Sequence, residues 1–134
     1  MAPQPIPDDI RRFVLTSIAS VPHLEALLLL RSAKNDFWNS SMLAERLYIG
    51  DKLALSLLQD LCRAGMTAPG DQVGPPDAHT GYRYQPCSDA LAAQIDRLAA
   101  LYGSHLLEVT YLIHSTLERK AHLFADAFKW RKDP

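Results

Sequence analysis

The stretch SSMLAERLYIGDKLALSLLQDLCRAGM, residues 40 to 66, constrains the fold more tightly than any other part of the chain. Two leucine-rich segments of helical length are joined by YIGD, and the second stops on Gly65. At about 100 degrees per residue along the second segment, Ala54, Leu57, Leu58 and Leu61 fall within one apolar arc. Lys52, Ser56, Gln59 and Arg63 fall on the opposite arc, with Asp60 at its margin. Such a helix buries one side and turns the other outward, and the short link through Ile49 and Gly50 pairs it with the helix before it.

The remaining elements follow from the same reasoning. Pro3, Pro5 and Pro7 keep the first residues extended, and Ile10, Phe13, Val14 and Ile18 then recur at helical spacing, which predicts a helix over 8–19. Pro22 is tolerated in the opening turn of a second helix that runs through Leu24, Leu27, Leu28 and Leu30 to about Ala33. In NDFWNSS the helical pattern is interrupted, so Phe37 to Asn39 reads as a short strand or extended bridge, with Ser40 or Ser41 offering an N-cap oxygen to the next helix. Helices are expected over 41–48 and 51–64. MTAP and YRYQ read as two strands, and the proline- and glycine-rich segment between them excludes helix and closes a β-hairpin.

From Ser88 the pattern is helical again. Leu91, Ile95, Leu98, Tyr102, Leu106, Val109 and Ile113 step by four and three, one apolar seam that either runs unbroken past Gly103, at a cost of about 1 kcal/mol, or kinks there. Ser115 and Glu118 have capping-box spacing, so a last helix is expected from near residue 116, burying Leu117, Ala121, Phe124 and Phe128. Fold class is therefore mainly α, with a small β-hairpin and a C-terminal helical extension. The expected division is 1–86 for the N-terminal helices with the helix-turn-helix and hairpin, and 87–134 for the extension, in the same compact unit.

The order helix, helix, short strand, helix, helix, strand, loop, strand fits a winged helix-turn-helix. Residues 43 to 66, LAERLYIGDKLALSLLQDLCRAGM, resemble the helix-turn-helix core of winged-helix transcriptional regulators such as the MarR and PadR families. The matching positions are Leu43, Ala44, Leu47 and Ile49, then Ala54, Leu58 and Leu61, then Gly65 with apolar Met66. The resemblance covers roughly residues 20 to 86. It implies a DNA-binding transcriptional regulator in which helix 51–64 enters the major groove and the hairpin is the wing. Lys52, Ser56, Gln59 and Arg63 are then the groove-facing residues and Arg83 the wing's contact to the backbone, side-chain types suited to base edges or phosphates. A merely solvated helix surface carries the same residue types.

The seam 91 to 113, extended by Phe124 and Phe128, needs a partner surface: the N-terminal helices or a second subunit. Added terminal helices in such regulators commonly build the dimer, and two-fold symmetry then matches two half-sites about one helical turn apart. A homodimer on double-stranded DNA is the expected assembly. The alternative is a winged helix used as a protein-interaction module or accessory subunit. It draws on Leu53 and Leu55 flanking the outward arc, Gly50 and Asp51 at the helix start, Asp71 and Asp77 in the wing loop, and a formal net charge of −1. A small-molecule pocket lined by Tyr102, Phe124 and Phe128 is a third reading.

Other chemistry finds little support. With 134 residues the chain is one domain's length, and 48% apolar against 22% charged residues is a globular balance. Its apolar runs are far shorter than the roughly 20 residues of a membrane span, and the start lacks a secretory pattern, so a cytoplasmic protein with no membrane partner is expected. Cys62 and Cys87 lack metal-ligand or disulfide-framework spacing, and His105, His114 and His122 have no carboxylate or cysteine at metal-ligand spacing. Glu108 and Glu118 have no nucleophile or phosphate loop beside them. No cofactor, no metal and no enzymatic activity are expected.

Overall fold

The computed structural model describes residues 6–70 and 79–115. They belong to two compact units, one of Pro22–Ala99 and one of Met1–Val21 with Ala100–Pro134. In chain order the elements are α1 (Asp8–Ser17), α2 (Val21–Ser32), α3 (Ser40–Leu47), α4 (Asp51–Arg63), β1 (Thr67–Pro69), β2 (Tyr82–Tyr84) and α5 (Asp89–Ser104). Residues 106–115 are helical as well and are called α6. This is a mainly α winged helix-turn-helix with a two-stranded hairpin.

In the unit of Pro22–Ala99, α2 buries Leu24, Leu27 and Leu30, α3 buries Leu43 and Ala44, and α4 buries Ala54, Leu57, Leu58 and Leu61. These are the apolar arcs expected from the sequence, except that Leu28 is only half-buried and Ala26 is buried in its stead. Full burial of a leucine side chain contributes about 1.5–3 kcal/mol, which explains why α4 is held by packing although no side chain caps its start. β1 and β2 pair antiparallel, Thr67 opposite Tyr84 and Pro69 opposite Tyr82. Trp38 joins them through a bridge to Tyr82, its N–H donating to the Tyr82 carbonyl at 2.7 Å and its carbonyl accepting from Tyr82 at 2.8 Å. The extended segment expected at Phe37 to Asn39 is therefore a rudimentary third strand.

The ends of the helices carry most of the local information. Asn39, not Ser40 or Ser41, caps α3: its Oδ1 accepts from the Met42 N–H at 2.9 Å, and Ser40 is buried inside the first turn. α3 stops at Tyr48, the sole non-glycine described residue with positive φ (φ 56°, ψ 46°), and the Ile49 N–H donates back to Ala44 at 3.0 Å. α4 ends in a Schellman turn, with the Met66 N–H donating to Leu61 and the Gly65 N–H to Cys62, both at 3.0 Å. Gly65 supplies the required positive φ of 77°. Its carbonyl then accepts from the Cys87 N–H at 2.8 Å, so the helix end is tied directly to the far side of the hairpin.

Ser88 Oγ caps α5 at the Leu91 N–H. The long C-terminal helix is interrupted, at His105 rather than at Gly103, and Ser104 Oγ lies 2.8 Å from His105 Nδ1. Among the described residues of the unit containing Met1–Val21 and Ala100–Pro134, the buried side chains are Ile10, Phe13, Val14 and Ile18, then Val109 and Ile113 of α6. Ser115 is the last residue of α6 that is described, and the capping box expected between it and Glu118 lies outside the described residues. The helix expected to begin near residue 116, with Phe124 and Phe128, lies outside the described residues.

Candidate nucleic-acid interface

The helix-turn-helix is α3, the turn through Tyr48 to Gly50, and α4. With Ala54, Leu57, Leu58 and Leu61 fixed in the core, helix geometry turns Lys52, Ser56, Gln59 and Arg63 outward together. Lys52, Ser56 and Arg63 are exposed, and Gln59 is half-buried. Gly50 and Asp51 start this helix: Gly50 is extended, and Asp51 places a carboxylate in the first turn, where the helix dipole favours negative charge. The outward face is mixed rather than uniformly cationic. Leu53, 44% exposed, lies beside it, and Leu55 is half-buried.

Arg63 is tied to its own helix. Its guanidinium donates to Asp60 Oδ1, while Asp60 Oδ2 lies 2.8 Å from His23 Nε2 on α2. Partial burial pushes the Asp60 carboxyl pKa up, but the hydrogen bonds and positive charges of His23 and Arg63 outweigh it and hold the group below the ordinary aspartate range. The i, i+3 spacing of Asp60 and Arg63 is readable in the sequence. The partner from α2, 37 positions away, is not.

Arg83 sits on β2, away from the α4 face in sequence, and its guanidinium lies 5.1 Å from the centre of the Phe37 ring. Its Nη2 also donates to Gln85 Oε1 at 3.2 Å. The ring rests against the root of the hairpin: a β-carbon at Gly70 or at Gly81 would come within 3.0 Å of Phe37. Both glycines thus admit the aromatic shelf on which the wing arginine lies. On the other flank of the same unit, Arg31 of α2 pairs with Asp96 of α5 at 3.0 Å beside Tyr84. Burial raises the Tyr84 hydroxyl pKa, and the Asp96 carboxylate adds to the shift.

Beside the turn, Trp38, Met42, Glu45, Arg46 and Tyr48 line an open groove of about 400 Å3. Tyr48 is 95% exposed, an aromatic ring carried out to solvent by a left-handed backbone.

Of the expected C-terminal seam, Ile95, Leu98, Val109 and Ile113 are fully buried within the chain, and Leu91 and Tyr102 are half-buried. Leu106, beside the interruption at His105, is exposed instead, joined by Leu107 (68%) and Tyr111 (72%). Phe124 and Phe128 lie outside the described residues. In this second unit a cleft of about 430 Å3 is lined by Ile6, Arg11, Glu108, Tyr111, Leu112 and Ser115.

Among the described residues, Cys62 and Cys87 are free thiols, no three metal-ligating side chains come together, and no single helix is long and apolar enough to cross a membrane.

Neither the known protein-family profiles nor the curated proteins contain a match to the chain. Among solved structures it is similar to a winged helix-turn-helix DNA-binding domain from Mycobacterium bovis, described as homodimeric and as a possible ArsR-family transcriptional regulator. That likeness has a TM-score of 0.50 at 20% identity and covers 79% of this chain and 94% of the other. The adhesin competence repressor of Streptococcus pyogenes is similar with a TM-score of 0.43 at 16% identity, over 90% of this chain and 93% of that one. The first of these agrees with the winged-helix fold seen here.

Proposed function

We propose that the chain is a DNA-binding transcriptional regulator of winged-helix type, of the kind the MarR and PadR families represent, acting in the cytoplasm as a homodimer. The observation that carries this reading is the construction of α4. Its inner arc is wholly committed to the core, and its outer arc offers Lys52, Ser56, Gln59 and Arg63 on one face. In the groove, Lys52 and Arg63 supply phosphate contacts and Gln59 and Ser56 reach base edges, while Arg83 meets the backbone from the wing. The similar Mycobacterium bovis domain is described as both DNA-binding and homodimeric. For the dimer surface, Leu106, Leu107 and Tyr111 are the available apolar side chains of α6.

Fluorescence anisotropy against duplex from the gene's own upstream region and against a scrambled duplex, at low and near-physiological salt, tests the reading. Tighter binding of the native duplex that weakens steeply with salt supports it, and no binding to either duplex at tens of micromolar removes it. Sedimentation of the purified chain tests the dimer, with Tyr111→Glu expected to yield monomer.

A protein-docking role for the same face is the second reading, favoured by the exposed Met42, Tyr48 and Leu53 around the turn and by the net charge of −1.

A further inference from the structure

Asp60 lies on the flank of α4, between its buried and outward arcs, and both of its carboxylate oxygens are engaged. His23, whose side chain is 15% exposed, fixes one oxygen from the neighbouring helix; Arg63, 73% exposed, donates to the other. The carboxylate is thus anchored from the core side and holds a guanidinium on the solvent side. A surface pair of this kind contributes little to stability. It does change what an approaching polyanion meets, because a guanidinium already paired with a carboxylate presents almost no net charge.

We infer that Asp60 is a positioning residue that tunes nucleic-acid affinity by competing with DNA phosphate for Arg63, an inference that rests on the groove reading above. A phosphate engages Arg63 only by displacing it from Asp60. That exchange weakens the sequence-independent part of binding and leaves contacts of Gln59 and Ser56 to base edges a larger share of the total. His23 gives the competitor its place: with Oδ2 held from α2, the carboxylate stays beside Arg63 rather than turning away.

The test is the salt dependence of binding by full-length wild type, Asp60→Asn, Arg63→Ala and the double variant, on a mixed-sequence duplex of roughly two helical turns. Asparagine keeps the size of the group and an oxygen for His23 while ending the charge on Arg63. Asp60→Asn is expected to bind several-fold tighter at low salt, with the slope of log affinity against log salt steeper by up to about 0.9, the value of one whole phosphate contact. Arg63→Ala should weaken binding in wild type, and by more in the Asp60→Asn background, where it removes the whole gain. Asp8→Asn, which removes the same charge from the other compact unit, should leave the slope unchanged.

An unchanged slope in Asp60→Asn, or an equal cost of Arg63→Ala in both backgrounds, overturns the role of Asp60 while the groove reading stands. No binding by any of the proteins overturns the groove reading, and this inference with it. Should Asp60→Asn fail to fold, the Arg63 Nε–H resonance of wild type, assigned by its loss in Arg63→Lys, decides: it moves when duplex is added if phosphate displaces Asp60, and stays in place if it does not.

Discussion

A β-carbon added to Gly65 would lie 2.7 Å from the sulfur of Cys87, closer than any real contact allows. The relationship is what locks the end of α4 to the hairpin, since the same two residues share the hydrogen bond from the Cys87 N–H to the Gly65 carbonyl. Gly65 is also held at φ 77°, where a side chain costs about 1–2 kcal/mol. Gly65→Ala is expected to destabilise the protein by at least that amount in urea unfolding, with the steric clash added to it. Cys87→Ala in the same chain should recover the steric part and not the backbone part. Equal losses in the single and double variants would show that the thiol is not the obstacle.

The outward arc of α4 predicts a division of labour in binding. Lys52→Ala should weaken binding to native and scrambled duplexes alike and reduce the salt slope by about one. Gln59→Ala should instead change the ranking among duplexes, at about 1–3 kcal/mol for the base it reads. Thermal unfolding of both variants should stay within about 0.5 kcal/mol of wild type, because neither side chain enters the core. Identical binding by both variants and wild type would take these residues out of the interface.

Asp60 makes the stability depend on acid in a definite direction. Its pKa is lower in the folded chain than in the unfolded one, so its contribution is fully present above the ordinary aspartate range, near pH 4, and is lost as pH falls through the folded value. The size is modest, since the side chain is 36% exposed and solvent screens the pair. Chemical unfolding at steps from pH 7 to pH 3 should therefore show a shallower acid loss in Asp60→Asn than in wild type. Parallel curves would mean that neither His23 nor Arg63 favours the charged carboxylate.

Much of the architecture is legible in the sequence because burial imposes a period. Leu24, Leu27 and Leu30, and Ala54, Leu57, Leu58 and Leu61, repeat at helical spacing and are buried as that spacing requires. Gly65 before an apolar residue announces a Schellman turn, and the turn forms there. What the sequence leaves hidden depends on contacts between distant positions. Phe37 reads only as the start of an extended bridge, and nothing in the sequence tells that Gly70 and Gly81 accept its ring at the hairpin root or that Arg83 lies over it. His23 looks like one histidine among several until α2 brings it to Asp60. The seam from Leu91 to Ile113 misleads for a local reason. A spacing of four and three is compatible with one helix or with two; the chain is non-helical at His105, and Leu106 next to it is exposed while Val109 and Ile113 are buried.

Tyr48 separates stability from function at the turn. Its left-handed backbone (φ 56°, ψ 46°) costs a non-glycine residue about 1–2 kcal/mol, and its 95% exposure returns almost nothing through burial. Tyr48→Gly removes that strain, less the added freedom of glycine in the unfolded chain, so a net gain of up to about 1 kcal/mol is expected. The ring also borders the groove formed with Trp38, Met42, Glu45 and Arg46. A more stable variant that binds its duplex as wild type does would assign Tyr48 to the turn alone. A more stable variant that binds more weakly would mean that the strain is retained for the contact the ring makes, as backbone strain at functional sites characteristically is. Urea unfolding and anisotropy on the same preparation separate the two outcomes, and a loss of stability would contradict the strain assigned to Tyr48.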